Sequence, residues 1–309
     1  MWGVVVIWGS PCLTCGMSHS SSRTLIMGLA ARLSLTQIKP FFLSLEKAGY
    51  AGDVCLFIKE LEREVLDFLR GRRVNLVPFQ GAYLRPKWSR FADLSIPFLK
   101  PSQRRRMREQ FALTFLHPHA ARFICYQPYL AACRPAYDYV MLADIRDIFF
   151  QRDPFAFAVP DGLSVFMEDS RMTLGTCPSN AKWLRTGFGE RALQELGNQP
   201  ISCSGTVIGT TPAICDYLER KGRVLYAAKS RDVIDQAAHN WIIHRQPPPA
   251  LYRFDNDTGP VLTMHYLDPA RLRQDDQGRV LNPAGQIVNA LHQYDRHPAL
   301  ARQLIGMLT

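Results

Sequence analysis

Several short signatures of nucleotide- and metal-dependent enzymes are missing from the sequence. There is no GxxxxGK[ST], and no GxGxxG follows the first strand signal, so neither a P-loop nor a dinucleotide fingerprint is present. HExxH and GxSxG are missing as well, which removes the commonest zinc-protease and serine-hydrolase patterns. Long apolar runs are also lacking. The longest near the N-terminus, Val4 to Trp8, falls far short of the roughly 20 residues that span a bilayer. With no basic n-region or full apolar h-region, residues 1 to 22 are expected to be a loose leader and not a secretory signal. Of the eight cysteines, only Cys12 and Cys15 lie close together, and no second pair completes a zinc site. Reduced, structural thiols and a cytoplasmic location are expected. No internal repeat and no Gly-, Ser- or Pro-rich linker breaks the rest, so residues 23 to 309 read as a single domain.

What is present fits a folded enzyme or binding domain. Hydrophobic residues make up 47% and charged residues 21%, close to the soluble average. Lys and Arg number 37 against 27 Asp and Glu, a net charge of +10 that favours anionic partners. The densest basic run is Arg104, Arg105, Arg106 and Arg108, with Arg70, Arg72 and Arg73 as a second cluster. Both read as solvated faces, or as contacts for an anionic acceptor or a membrane surface.

Periodicity alternates from residue 24. TLIMGLA, DVCLFI (53 to 58) and VNLVPF (74 to 79) have strand length, and Leu35 to Leu45 and Leu61 to Leu69 carry helical spacing between them. That order implies a parallel sheet with right-handed crossovers. Residues 80 to 106 read as a surface excursion before a helical stretch. YVMLADI reads as a central parallel strand, LSVFM (163 to 167) and CSGTVIG as further strands, and LYRF and PVLTMH as short ones. Thr211 and Pro212 suit the start of a helix through Lys221, and Asp232 to His244 reads as another. Asn282 to Gly285 predicts a type I turn closing a hairpin between RVL and QIV. The expected fold is α/β: a mostly parallel central sheet flanked by helices, with a small antiparallel C-terminal addition.

Open α/β sheets bind ligands beyond the carboxyl ends of their strands, where Asp144 and Asp147 fall. Two carboxylates there can hold a hard divalent cation, although a strand end with solvated charges gives the same pattern. In the helix from Asp232, Asp235 shares a face with His239, and Gln236 with Asn240, beside an apolar stripe of Val233, Ile234, Ala237 and Trp241. Ser204 and Gly205 open a strand where a missing side chain lets a ligand approach the backbone. His292, in LHQYDRHP, can join two carboxylates on Mn²⁺ if the chain returns to the same edge. His117 and His119 read as a helix start with a structural role, and Asn256 to Thr258 matches a glycosylation acceptor by pattern only.

In order, YDYVMLADIRDIFFQRDPF, CSGTVIG, DQAAHN and LHQYDRHP resemble the GT-A nucleotide-sugar glycosyltransferases, and in particular the glycogenin-like family 8 enzymes, over roughly residues 24 to 298. The resemblance implies a Rossmann-like GT-A fold and a sugar transfer from a nucleoside-diphosphate sugar, first a UDP-sugar, to the hydroxyl of a saccharide or glycan acceptor. It assigns Asp144, Asp147 and His292 to a divalent metal, with Mn²⁺ first and Mg²⁺ the alternative, and Asp144, Arg146 and Asp147 to the diphosphate. Ser204 and Gly205 would lie near the donor sugar or acceptor. Gln236 would face the anomeric carbon with Asp235 beside the sugar hydroxyls, and the likeness to a retaining family favours retention. An inverting enzyme would instead need a base, for which Glu168, Asp169 and Asp232 are placed. The second carboxylate falls three residues after the first, so Arg146 takes the place of the middle residue of a D-x-D pattern. No nucleic-acid partner is expected, while peripheral contact with an anionic membrane fits the charge. Two other readings remain: metal-dependent phosphoryl transfer at the same aspartates, and a non-catalytic protein binding an anionic partner through its basic surface.

Overall fold

The computed structural model describes residues 22–83, 101–230 and 233–308. The leader expected over 1 to 22, including Cys12 and Cys15, lies outside the described residues except for Ser22, and Asp232 lies outside them too. So do the side chains of Arg104, Arg105 and Arg108, whereas Arg106 is exposed.

Strand β1 (Thr24–Ala31) leads into α1 (Leu35–Lys47), whose Gln37 side chain accepts the Ser34 N–H at 3.0 Å and satisfies an otherwise open donor at the helix start. Then come β2 (Asp53–Lys59), α2 (Arg63–Arg70) and β3 (Val74–Pro78). The surface excursion expected over 80 to 106 ends early, because residues 101 to 106 already belong to α3 (Pro101–Phe115), which α4 (Pro118–Ala132) follows. Next are β4 (Tyr139–Asp144), β5 (Ile148–Phe150), β6 (Leu163–Met167), α5 (Pro178–Phe188), α6 (Glu190–Leu196) and β7 (Ser202–Thr210). The helix expected from Thr211 to Lys221 is α7 (Thr211–Ala227); Thr210 holds the N-cap position without a side-chain capping bond, and the helix continues because Val224 and Leu225 extend its buried face. The helix expected from Asp232 begins at Asp235, as α8 (Asp235–Arg245). The chain closes with β8 (Leu251–Phe254), β9 (Val261–Thr263), β10 (Arg273–Gln274), β11 (Val280–Leu281), β12 (Ala290–His292) and α9 (Pro298–Gly306).

The fold is α/β, with a seven-stranded sheet in the order β3-β2-β1-β4-β7-β6-β8. β3, β2, β1 and β4 are parallel neighbours, and β6 pairs in parallel with β8. Residues of β1 alternate between faces: Leu25, Met27 and Leu29 enter a core with α4, α7 and α8, and Ile26 and Ala30 one with α1 and α2. Val140 and Leu142 of β4 pack on the first side, Met141 and Ala143 on the second. Burial on both faces is why these strands read as continuous apolar runs.

Strand β7 is the exception to the parallel order. It runs antiparallel to both β4 and β6. Its first residues therefore lie beside the carboxyl end of β4, with Ala143 opposite Thr206, and Ser204 and Gly205 come next to Asp144. The C-terminal addition is also more mixed than the expected hairpin. The Asn282 turn forms, with Gly285 N–H donating to Asn282 O at 2.8 Å and Gly285 at φ +82°, where only glycine is unstrained. Its flanks, however, meet through the Leu281–Ile287 bridge, and β11 pairs antiparallel with β10. A second sheet places β12 between β5, antiparallel, and β9, parallel. Among the described residues, no helix is long and apolar enough to cross a membrane, and no disulfide joins any of Cys55, Cys125, Cys133, Cys177, Cys203 and Cys215.

Candidate metal centre

Pairing of β12 with β5 sets His292 opposite Ile148, one residue from Asp147, and Gln293 N–H donates to Asp147 O at 2.7 Å. Residues remote in sequence thus meet at the end of β4. His292 Nε2 lies 3.6 Å from Asp147 Oδ1 and 3.9 Å from Asp144 Oδ2, and one ligand atom from each of the three falls within 4.8 Å of the others. The His292 and Asp147 side chains are 1% and 8% exposed, yet His292 Nε2 and Asp147 Oδ1 have no hydrogen-bond partner. Two unsatisfied buried atoms facing each other carry a cost that a shared cation removes. One imidazole and two carboxylates are a donor set suited to a divalent ion, so Asp144, Asp147 and His292 could hold one.

Gly205 makes the convergence possible. A Cβ there would stand 2.5 Å from His292 Cε1 and Nε2 and 2.7 Å from Asp144 Oδ2. The missing side chain thus first admits two protein ligands, where the sequence pointed only to close approach of a ligand. Gly205→Ala is expected to cost about 1–3 kcal/mol from overpacking and to weaken Mn²⁺ binding at least tenfold while the sheet persists. Paramagnetic titration of Mn²⁺ checks this, and an unchanged affinity would refute it.

Asp144 lines a cavity of about 360 Å³, with Asp147 and His292 buried behind it. Beneath the cavity Arg122 of α4, 4% exposed, places NH1 2.6 Å from Asp144 Oδ1 and NH2 3.6 Å from Asp235 Oδ2. Burial opposes ionisation of Asp144, but Arg122 first and His292 next outweigh it and hold the carboxyl below the ordinary range. Burial likewise works against charge on His292, but Cys203 and Asp147 raise its proton affinity well above that of a free imidazole. Glu168, also on the cavity wall, is pushed up to about 7 by burial.

Ser204, Gly205, Asp235 and Gln236 all line the cavity. The Gln236 amide is committed to β7: Oε1 accepts Ser204 N–H at 2.8 Å and Nε2 donates to Ser202 O at 3.0 Å. Asn240 clamps the same strand, accepting from Ser202 N at 2.9 Å and donating to Ser202 O at 2.9 Å. Asp235, Gln236, His239 and Asn240 of α8 are therefore buried along with Ala237, Ala238, Ile242 and Ile243, and Val233 and Ile234 precede the helix. Arg146 lies 3.6 Å from Asp147 Oδ2 and 3.5 Å from Asp295 Oδ2, whereas Arg296 is the arginine that lines the cavity. Asp169 is paired with Arg171 at 2.8 Å.

Behind the clamp runs a chain of buried hydrogen bonds. Lys221 Nζ donates to Tyr217 Oη at 3.0 Å, Tyr217 Oη and His239 Nδ1 are 2.8 Å apart, and His239 Nε2 and Ser202 Oγ 2.9 Å. Lys221 is fully buried, with Nζ 3.4 Å from the centroid of Phe123, and burial lowers it to about 7. Asp235 and Asp144 favour its charge and Arg122 opposes it. The unfolded chain keeps this proton to about pH 10.5, so between about pH 7 and 10.5 it binds more protons than the folded chain and stability rises with pH. Lys221→Met is expected to be neutral or stabilising, by up to about 4 kcal/mol below pH 7, with its advantage shrinking toward pH 10. Denaturation at pH 6 and 9 checks the trend; equal differences at both would refute it.

Residues that the sequence left without a role also reach the cavity, among them Asn180, Trp183, His265 and Arg296, as do His117 and His119, expected to be structural. Arg122 carried a legible signal, a lone charge in the apolar stretch AARFICY of α4. His117, expected to be structural, caps α4 by accepting His119 N–H at 3.3 Å and also faces the cavity. No protein-family model matches the chain, and no curated protein matches it at a significant level.

Proposed function

We propose that the chain is a metal-dependent glycosyltransferase of the GT-A type, moving a sugar from a nucleoside-diphosphate sugar, first a UDP-sugar, to a saccharide or glycan hydroxyl with retention. The observation that carries the reading is the convergence of Asp144, Asp147 and His292, with two buried unpartnered atoms, beside a cleft lined by Asp144, Asp235 and Gln236. The antiparallel β7, which brings Ser204 and Gly205 to the carboxyl end of β4, supports it.

A divalent ion, Mn²⁺ first and Mg²⁺ the alternative, would be held by these three side chains and would act as a Lewis acid on the diphosphate leaving group. Asp144 would bind the ion from the cavity wall, and Asp147 and His292 from the buried side. Arg122 sets a cation between Asp144 and Asp235, so the two carboxylates repel a phosphate-bearing ligand less strongly than they would alone. The β7 clamp holds Gln236 rigid at the cavity wall, where a group must be fixed before the reaction to stabilise developing charge. A cytoplasmic location, with peripheral membrane contact through the basic surface, belongs to the same reading.

The test is a screen of nucleotide sugars with Mn²⁺ and simple saccharides, reading nucleoside diphosphate release and the anomeric configuration of the product by NMR. Metal-dependent release with a retained product is expected. An inverted product would remove retention and turn attention to Glu168. Phosphomonoester cleavage, without use of any nucleotide sugar, would favour phosphoryl transfer instead.

A further inference from the structure

The cleft has a wall that the metal group does not use. Helix α5 supplies Ser179, Asn180 and Trp183 to the cavity, and Glu168 lines it as well. Asn180 is 4% exposed; its Nδ2 donates to Cys177 Sγ at 3.1 Å and its backbone N–H to the same sulfur at 3.5 Å, while Oδ1 is buried with no partner. Whichever way the amide is turned, one end is left over. Trp183 is half-buried and packs against the cluster of Leu174, Cys177, Leu184 and Leu196, which fixes its ring at the cavity edge.

These groups suit one kind of ligand. The three α5 side chains that line the cavity are neutral, so they offer no positive charge with which to hold a phosphate. A pyranose presents a face of C–H bonds that packs on an aromatic ring, and a rim of hydroxyls that both donate and accept. The unpaired Asn180 amide and the Glu168 carboxyl can meet that rim. We infer that the α5 wall is a pyranose-binding subsite, built by Trp183, Asn180 and Ser179 with Glu168, which takes the acceptor saccharide. Its role as acceptor site rests on the transferase reading above; its binding of a pyranose does not.

The test is saturation-transfer NMR on the full chain with Mg²⁺, UDP and the methyl pyranosides of glucose, galactose and mannose, so that nucleotide and sugar are read in one sample. Trp183→Leu removes the ring, and Ser179→Phe, at an exposed position, fills the subsite without touching the core. At least one pyranoside is expected to be saturated by the wild type and to lose at least fivefold of that signal in both variants, with the UDP signal unchanged. Absence of pyranoside saturation in the wild type, or full saturation in folded Ser179→Phe, would overturn the subsite. A fall in the UDP signal in folded Trp183→Leu would overturn it too, by assigning the ring to the nucleobase. Sugar binding as expected with no UDP binding would keep the subsite and remove the transferase reading.

Discussion

Arg122→Met is expected to destabilise the protein by about 3–5 kcal/mol, because it removes the shared cation from two carboxylates and leaves their charge poorly compensated. The guanidinium is 4% exposed and reaches Asp144 at 2.6 Å and Asp235 at 3.6 Å, linking the end of β4 to the start of α8. Part of the loss returns at low pH. Arg122 helps hold Asp144 below the ordinary carboxylate range in the folded chain, so the stability it contributes is present above the unfolded pKa and fades as pH falls through the folded one. The variant's deficit is thus largest at neutral pH and shrinks under acid. Arg122→Lys keeps a charge but loses the planar fork that spans both partners, and is expected to fall between the two. Urea denaturation at pH 7 and pH 3, the second below the ordinary aspartate value of 3.8, reads all of this; a deficit below about 1 kcal/mol at pH 7, within the range of an exposed ion pair, would show that the bridge is not the joint described.

The second large effect is on metal binding. Asp147→Ala and His292→Ala each remove a buried ligand without disturbing Arg122, and are cleaner tests than Asp144→Ala, which would also strand the guanidinium. Each is expected to weaken Mn²⁺ binding by more than the roughly 10–100-fold seen when only a supporting partner of a ligand is lost. The double variant should be little worse than either single one, since the site fails as a unit. Circular dichroism should stay near wild type, because β12 keeps its backbone pairing with β5 and β9. Independent, additive effects would mean that the residues do not share an ion.

Much of the sheet was legible because both-faced burial leaves unbroken apolar runs in β1, β2 and β4, and the helices between them carry a clear period. The direction of β7 was not, since an apolar run such as CSGTVIG looks the same in either direction. What reversed it is the pairing with β4 and β6. The α8 residues read as polar pairs, but their burial depends on clamping the start of β7, which no helical period encodes. His292 could be placed near the aspartates only by resemblance. Physically it arrives there through the short β5–β12 pairing, three residues long on each strand, too little pattern to read alone. Arg122 stands out as a lone charge in an apolar stretch, but its partners are not legible, because a single arginine in a helix is ordinarily a solvated one. Trp183 and Asn180 reach the cavity through the tertiary placement of α5, which leaves no local mark.

The most direct measurement is calorimetric titration of UDP into the full chain, once with Mn²⁺ and once after chelation. One UDP bound per chain with Mn²⁺, lost on chelation and lost again in folded His292→Ala, is expected if Asp144, Asp147 and His292 hold a cation that also holds the diphosphate. UDP affinity that is the same with and without Mn²⁺, or unchanged in folded His292→Ala, would contradict that claim.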